Sequence, residues 1–424
     1  MINSLATRLY VIIFCSLNCH AQFQLEKSLI EEGFENIHVE SSAFYDNKEL
    51  IIHYENRKYR FESDALYTVL SLINSTFLKK ETGSQTINNN GTNISIIILN
   101  QGVPVSKLKT NASSLKELFD EKITYGEWEK VSEFKFSKDS RTLSNSMESS
   151  KFKADIEIGS NISYLLGNFN NPIRWAPKIE SHLKTQISKG LLLKGRYDFL
   201  IYDDLFNWEN SRFTSLFLTQ SFNLNNNLFA NISAGYFRNT QKGIDLRLVK
   251  FFFNDILRLE LNSSLSQNYY LDPPKAVGKA IEENHFQYGV TTIFRHPKLL
   301  TDVKFNWGKF LYDDIGYNFQ VSRQFKEVEI GFYLVDTTMP IIGSYGVILD
   351  KSYGFYFKAP FGTKKHMDPK RIRIKTKERF YLNYNYVGGV SAGKRLETNN
   401  NLIDELWEYY PSTLRTSLKL NFSN

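Results

Sequence analysis

The sequence predicts a mainly β protein, in which a transmembrane antiparallel β-barrel of about 12–14 strands follows a small N-terminal periplasmic α/β domain. Three observations lead to this prediction. Apolar and polar residues alternate with a period of two over most of the chain after residue 150. Aromatic residues form 15% of the chain, although hydrophobic residues form only 42%. The N-terminus has the composition of an export signal.

Residues 1–21 are predicted to be a signal peptide. Arg8 precedes a short apolar run, and the small residue Ala21 stands directly before Gln22 at a position suited to cleavage. We therefore predict export across the inner membrane and cleavage between Ala21 and Gln22. No other stretch of the chain approaches the roughly 18 consecutive apolar residues of a transmembrane helix.

Both cysteines fall within this predicted signal peptide. Cys15 and Cys19 would be removed with it, so the mature chain would contain no disulfide and no thiolate metal site. Acylation of Cys19 is the alternative, but Ser16-Leu17-Asn18 before it lacks the apolar-small-small order of a lipoprotein signal. We therefore favour the loss of both cysteines.

Residues 22–137 have the pattern of a water-soluble α/β domain. The run Asn93–Asn100 is short and rich in β-branched residues, which predicts a strand buried on both faces. Apolar residues after Ser63 recur at helical spacing, which predicts a helix capped by that serine. The other predicted elements are helices at Leu25–Glu32 and Ser114–Phe119 and strands at Asn36–Glu40, Glu49–Tyr54 and Val131–Phe136. The Ser-rich residues 138–150 carry no hydrophobic period and are predicted to be a linker.

Residues 151–424 are predicted to form the barrel. Leu257, Leu259 and Leu261 alternate with Arg258 and Glu260, so one face of the strand would be apolar and the other polar. Similar runs recur to the end of the chain, with turn residues such as Asn and Pro between them. The pattern indicates strands with lipid on one side and a polar lumen on the other.

The C-terminal part of this region contains two further predicted features. Residues 390–411 form a long connection with a short helix at Leu402–Tyr409, which we expect outside the membrane or folded into the lumen. The run Leu414–Phe422 alternates with a period of two and ends near an aromatic residue. We therefore predict that it is the final barrel strand.

Eight basic residues fall on the predicted inward faces. A lysine or arginine that faces lipid at the bilayer midplane costs about 2–4 kcal/mol, so we expect these side chains to face the lumen or the rims. A basic lumen would suit an anionic polysaccharide; the alternative, which the sequence supports equally, is a plug in which the cations pair with Glu157, Asp198, Asp245 and Glu260. The eight candidates are Lys184, Lys194, Arg196, Arg247, Arg258, Lys304, Arg415 and Lys419.

No pattern typical of catalysis or of cofactor binding stands out. The chain lacks a Gly-x-Ser-x-Gly motif, a phosphate loop and a dinucleotide fingerprint, and its seven histidines are scattered. The pairs Asp203-Asp204 and Asp313-Asp314 fall at predicted strand ends, where solvated turns explain them better than a cation or sugar site. The net charge of +7 arises from mixed Lys and Glu, so nucleic-acid binding is not expected either. We predict no catalytic residue, no metal and no cofactor.

Several strand and turn runs together resemble a known family. WGKFLYDDIGYNFQVSRQFKEVEIGFYLVDT followed by DKSYGFYFKAPF resembles the YjbH family of outer-membrane proteins linked to exopolysaccharide and capsule production. SRFTSLFLTQSF, LFANISAGYF and GIDLRLVKFF look like the family's preceding strands, and GKRLETNNNLIDELWE is similar to its closing loop. The resemblance covers most of residues 150–424 and does not extend to residues 22–137.

This resemblance implies a role in polysaccharide secretion or assembly at the outer membrane of a Gram-negative bacterium. The expected function is that of a non-enzymatic barrel, with outer-membrane lipid, an anionic polysaccharide and other exopolysaccharide-export proteins as partners. A general porin and a barrel enzyme that modifies surface glycan are the alternatives.

Overall fold

The structure of the protein is a computed structural model, mainly β, in which the chain divides into two compact units. Unit 1 comprises residues 1–150, 365–369 and 407–424, and unit 2 comprises residues 151–364 and 370–406. The signal peptide with Ala21, and the linker up to residue 148, lie outside the described residues. The structure describes residues 22–44, 47–78, 92–137, 149–166, 172–204, 211–224, 227–237, 241–268, 284–311, 313–325, 328–338, 351–360, 366–377, 379–385, 393–396, 398 and 402–422.

Unit 1 is built on a five-stranded sheet in the order β1-β2-β3-β4-β5. All neighbouring strands are antiparallel except β2 and β3, which are parallel. The strands are β1 (Glu35–Phe44), β2 (Asn47–Glu55), β3 (Asn93–Asn100), β4 (Val103–Asn111) and β5 (Glu133–Phe136). The helices of this part are α1 (residues 22–32), α2 (Glu62–Leu72) with a π-helical turn at Ile73–Leu78, α3 (Ala112–Phe119) and α4 (Tyr125–Val131).

The core of unit 1 is apolar, as in a water-soluble domain. Ile96, Leu66 and Trp128 are fully buried. The predicted strand at Asn93–Asn100 is confirmed as β3, and helix α1 ends at Gly33, whose φ of +101° is the left-handed conformation that ends many helices.

One predicted element of unit 1 begins elsewhere in the structure, and two elements were not predicted. Helix α2 begins before Ser63, and its N-cap is Phe61, whose side chain forms no capping hydrogen bond. Strand β4 is not predicted because Pro104 suggests a break; the structure tolerates this proline at a register shift beside Leu99. Helix α4 is also missed, although a capping box joins Thr124 and Glu127 at its start.

Unit 2 contains a sheet of 14 strands among the described residues. From β6 to β17 each strand pairs antiparallel with the next, β19 pairs antiparallel with β17, and β18 pairs parallel with β6. The strands are β6 (Ala154–Leu166), β7 (Ile173–Ser188), β8 (Leu191–Leu200), β9 (Arg212–Asn223), β10 (Leu228–Phe237), β11 (Gln241–Phe252), β12 (Leu257–Asn268), β13 (Asn284–His296), β14 (Thr301–Lys309), β15 (Ile315–Phe325), β16 (Val328–Thr338), β17 (Lys351–Pro360), β18 (Ile372–Thr376) and β19 (Arg379–Asn385). A short helix α5 (Leu402–Glu405) follows and continues into a 3-10 turn at Leu406–Tyr409.

The first and last strands of this sheet are neighbours in the chain. Strand β18 stands at one end of the strand order and β19 at the other, yet only two residues separate Thr376 from Arg379. Three Cα–Cα steps of about 3.8 Å span at most about 11 Å. A flat sheet of this size would place its ends several times farther apart, so the sheet curves until its two ends approach each other.

The predicted final strand at Leu414–Phe422 is wrong. Pro411–Phe422 forms helix α6, which buries Leu414 and Leu418 within unit 1. The ring of Phe422, one helical turn farther on, lies 4.9 Å from Tyr67 and 5.3 Å from Phe119 between ring centroids. Residues 407–424 therefore belong to unit 1 and not to the large sheet. No helix among the described residues is both long enough and apolar enough to cross a membrane.

Candidate functional site on the polar face of the large sheet

The large sheet exposes apolar side chains and buries polar ones. On β11, Leu246 is 43% exposed, whereas its neighbour Asp245 is 3% exposed. Asp245 lies opposite the buried Ser264 of β12, and directly opposed residues of antiparallel strands share a face. This arrangement is the reverse of a sheet packed on an apolar core in water. We call the buried side the polar face; among its residues are Glu180, Lys194, Arg196, Asp198, Thr219, Asn231, Ser233, Asp245, Arg258, Glu260, Asn262, Ser264, Gln287 and Thr291.

Six of the eight predicted basic residues lie on strands of this sheet. Lys184 is on β7, Lys194 and Arg196 are on β8, and Arg247, Arg258 and Lys304 are on β11, β12 and β14, respectively. The alternation of burial along these strands places all six on the polar face.

The other two predicted basic residues are not part of this site. Arg415 and Lys419 lie on α6 in unit 1, where the Arg415 Nε is 3.4 Å from a carboxylate oxygen of Glu129. Their prediction as inward-facing residues of a barrel strand is wrong, because the period of two in this segment belongs to a helix.

Arg196 is the centre of a buried charge network. Its guanidinium donates to Asp198 Oδ1 at 2.5 Å and to Glu180 Oε1 at 2.5 Å. Glu180 also accepts hydrogen bonds from Asn161 at 2.6 Å and from Lys377 at 3.3 Å. Two carboxylates thus surround one guanidinium, and its charge is neutralised within the sheet.

Arg247 is paired in the same way, but one of its partners comes from outside the strands. Its Nε is 3.2 Å from Asp245 on the same strand, and its Nη1 is 2.8 Å from Asp404 of α5. Its Nη2 donates to the Thr398 hydroxyl at 2.5 Å. Lys184 repeats this arrangement, with its Nζ 2.6 Å from Glu405.

A segment after the last strand therefore lies against the polar face. We call residues 393–406, of which 393–396, 398 and 402–406 are described, the inner segment. Arg395 hydrogen-bonds Asn306 of β14 and lies 3.8 Å from Glu260 of β12. The Leu396 backbone N–H donates to Gln287 of β13 at 3.2 Å. The inner segment contacts strands from β7 to β14, which confirms the predicted short helix and places it on the polar face.

Three of the four carboxylates that the sequence offers as ion-pair partners form such pairs in the structure. Asp198, Asp245 and Glu260 are confirmed as ion-pair partners, and Arg258 Nη2 lies 2.8 Å from Glu260. Glu180, Asp404 and Glu405 were not predicted as partners of these cations from the sequence. Glu180 could have been found, because it precedes Lys184 by four residues on one strand and must share its face. Asp404 and Glu405 could not, because their contacts depend on the path of the inner segment.

In the structure, aspartates of both pairs bind backbone N–H groups or a neighbouring lysine. Asp204 Oδ1 accepts a hydrogen bond from the Trp175 backbone N–H at 2.5 Å, and Asp313 lies 2.7 Å from Lys309. Asp314 Oδ2 accepts from the backbone N–H of Gly393 at 2.7 Å, at the start of the inner segment. Within the described part of the chain, no group of three His, Cys, Asp or Glu residues is placed to hold a metal ion.

The comparison with protein families confirms the resemblance seen in the sequence. Residues 205–377 match the family model YjbH, described as exopolysaccharide biosynthesis protein YbjH. The match runs from the connection before β9 to the residue after β18 and thus covers most of the large sheet. No curated protein matches the chain. The family suggests that the protein takes part in exopolysaccharide biosynthesis.

Proposed function

We propose that this protein is an outer-membrane β-barrel that takes part in the secretion or assembly of exopolysaccharide without catalysing a reaction. The observation that carries the proposal is the inverted sheet of unit 2, which presents Leu246, Phe332 and many similar side chains outward. Such a surface is costly in water over so many strands, and it suits the hydrocarbon of a bilayer. Outer-membrane lipid is therefore the first proposed partner.

The junction of β18 and β19 supports closure into a barrel. The same short stretch of chain pairs with β6 through Ile372–Thr376 and with β17 through Arg379–Asn385. It thereby connects the two edge strands of the sheet through the chain and brings them close together, as closure into a barrel in a bilayer would require. Most strands from β6 to β17 contain 9 to 13 residues, close to the about 9–11 of a tilted membrane-spanning strand.

The lengths of the connections support an orientation in the membrane. The connections 189–190, 224–227, 253–256, 297–300 and 326–327 contain two to four residues each. Connections at the opposite ends of the strands reach 15 residues, at 269–283. In outer-membrane barrels the short turns face the periplasm. The chain enters β6 from unit 1 at the short-turn end, so we propose that unit 1 is periplasmic.

The role in exopolysaccharide production rests on the family match. Unit 1 would contact polymer or other export proteins, and the barrel would anchor or guide the polymer across the membrane. Because most of the candidate cations are paired with carboxylates, the polar face offers little free positive charge to an anionic polysaccharide. The inner segment on that face also favours a dedicated export component over a general diffusion porin.

Gene deletion in the native host tests this proposal. We expect less exopolysaccharide in the medium and on the cell surface, with polymer retained in the periplasm and with an intact envelope. The native protein should fractionate with the outer membrane and migrate faster on a gel before heating than after it. Unchanged amount and distribution of polymer would overturn the export role, and a protein recovered outside the membrane fraction would overturn the barrel.

A further inference from the structure

The inner segment is held on the polar face by apolar contacts at both ends. Leu396 packs in a buried cluster with Phe217, Phe237 and Leu311. The backbone N–H of Leu311 also donates to the carbonyl of Lys394 at 2.9 Å. At the other end, Leu402 and Ile403 are fully buried, and α5 packs on β10. The described residues of this segment are thus packed against the strands of unit 2.

Two ion pairs secure α5, which forms the C-terminal end of the inner segment. Glu405 bonds Lys184 of β7 and Asp404 bonds Arg247 of β11, four strands away in the sheet order. These strands lie on both sides of β9 and β10, so the segment bridges a wide part of the polar face. The side chains of Lys184 and Glu405 are each 30% exposed, which leaves this pair accessible to water and to competing charges.

The inner segment is continuous with a helix that is fixed elsewhere. Only a few residues separate Glu405 from Pro411, the first residue of α6. Within unit 1, the hydroxyl of Tyr409 accepts a hydrogen bond from Asn100 at 2.9 Å, and Phe422 packs among aromatic rings. A short connection thus joins the inner segment to α6.

We propose that the inner segment is a plug that keeps the barrel closed, and that it opens when the ion pairs of Asp404 and Glu405 are broken. This inference rests on the proposed barrel. Apolar contacts hold the plug in place, and the ion pairs Glu405–Lys184 and Asp404–Arg247 keep it from leaving. We call these two ion pairs the latch. Helix α6 would give unit 1 a direct means to withdraw the plug, for example when a polymer chain is delivered.

Charge reversal of the latch tests this inference in the complete mature chain. Lys184→Glu would face Glu405, and Glu405→Lys would face Lys184. We expect each single variant to raise the open probability in planar bilayers about tenfold, because like charges repel where the pairs were formed. The double variant Lys184→Glu with Glu405→Lys restores opposite charges and should return the open probability close to that of the unchanged protein.

A matched control is the pair of Arg295 and Asp302, whose atoms are 2.7 Å apart on β13 and β14. It lies on the same sheet, on strands other than β7 and β11, which carry the latch residues Lys184 and Arg247. Asp302→Asn should leave the channel closed. A second latch-independent variant, Leu396→Asp, places a charge in the apolar cluster and should also open the channel.

The outcomes distinguish the plug from the barrel itself. If the single variants insert correctly in the outer membrane and their channels stay closed, the plug is overturned and the proposed function is left intact. The same holds if the unchanged protein already conducts freely. Protein that never reaches the outer membrane would overturn the proposed function first. Rescue by the double variant, with a silent Asp302→Asn control, would support the plug, since simple misfolding is not repaired by a second reversal.

Discussion

The two units sort their side chains in opposite ways. In unit 1, Trp128 and Ile96 are fully buried, whereas charged residues such as Lys27 and Glu31 pair at the surface. In unit 2, Phe332 is 65% exposed, whereas Arg196 and Glu180 are buried against each other. Both are sheets with alternating sequences, so the period of two alone does not tell which face is inside. The surrounding solvent decides this, and the proposed barrel would place water around unit 1 and lipid around unit 2.

The units also differ in how they neutralise buried polar groups. Unit 2 uses ion pairs between neighbouring strands, as in Arg196 with Asp198 and Glu180. Unit 1 has a buried ion pair as well, between Arg57 and Glu35, but it also buries carboxyl groups that accept from neutral donors. Glu62 accepts from the Tyr54 hydroxyl at 2.6 Å, and Glu55 accepts from the Gly102 backbone N–H at 2.8 Å. Burial raises the pKa of Glu62 to about 8 and also raises the pKa of Glu55. Unit 1 is therefore expected to be the more sensitive to alkaline pH.

The largest expected effect comes from shortening a buried aromatic residue in unit 1. Trp128→Ala removes a fully buried side chain and should cost about 3–5 kcal/mol of unfolding free energy, because a cavity remains in the core. The matched change in unit 2 is Phe332→Ala; in the proposed barrel, lipid would fill the vacated space, and a loss of about 1–2 kcal/mol is expected. Urea unfolding of the complete chain, followed by proteolysis of unit 1 and by gel mobility of unit 2, measures both. Equal losses would contradict the comparison.

A positive charge on the exposed face sharpens the same contrast. Leu246→Arg, near the middle of β11, should destabilise unit 2 by about 2–4 kcal/mol if that face meets hydrocarbon. The control is Val131→Arg at a 62% exposed position of unit 1, where a change within about 0.5 kcal/mol is expected in water. Refolding yield into lipid vesicles over a urea series provides the measurement. If Leu246→Arg proved as mild as the control, the exposed face would not face lipid.

Most of the large sheet could be predicted from the sequence because its signal is local. Alternation along β11 and β12 gives both the strands and the faces, and it correctly placed Arg247 and Arg258 on the polar face. Short Asn-containing turns then fix each strand beside the next. The parallel pair of β18 and β6 could not be predicted, since Ile372 meets Ala154 from far away in the chain. The same limit applies to the contacts of Asp404 with Arg247.

The error at the C-terminus has a simple geometric cause. Leu414, Leu418 and Phe422 are spaced by four, an even number that fits one face of a strand and also one side of a helix. Leu420 distinguishes the two, since a strand would place it on the same face as Leu414 and Leu418, whereas on α6 it is 42% exposed and those two leucines are buried. Pro411 was the available signal, because proline is favoured in the first turn of a helix.

The pH dependence of unit 1 provides a prediction of intermediate size. The folded pKa of Glu62, about 8, exceeds the ordinary value of 4.5, so its stabilising contribution is complete below about pH 4.5 and is lost as the pH rises toward 8. Glu62→Gln removes this titration. Between pH 5 and pH 8 the variant should therefore gain about 1–3 kcal/mol relative to the unchanged protein. Urea unfolding of unit 1 in the complete chain, at several pH values, measures this gain; parallel curves would contradict it.

The smallest expected effect concerns the start of α4, where unit 1 depends on a local polar contact. Thr124 Oγ1 accepts from the Glu127 backbone N–H at 3.4 Å, and the Glu127 carboxylate accepts from the Thr124 backbone N–H at 2.7 Å. Thr124→Ala removes half of this capping box and should cost about 1 kcal/mol, whereas Thr124→Ser keeps the hydroxyl and should cost much less. Hydrogen exchange of the first amides of α4 checks the change locally. Helix α4 carries Trp128 into the core. If faster exchange spreads to the whole of unit 1, the cap limits the stability of that core. If faster exchange is confined to the first turn of α4, the buried tryptophan holds the helix without the cap.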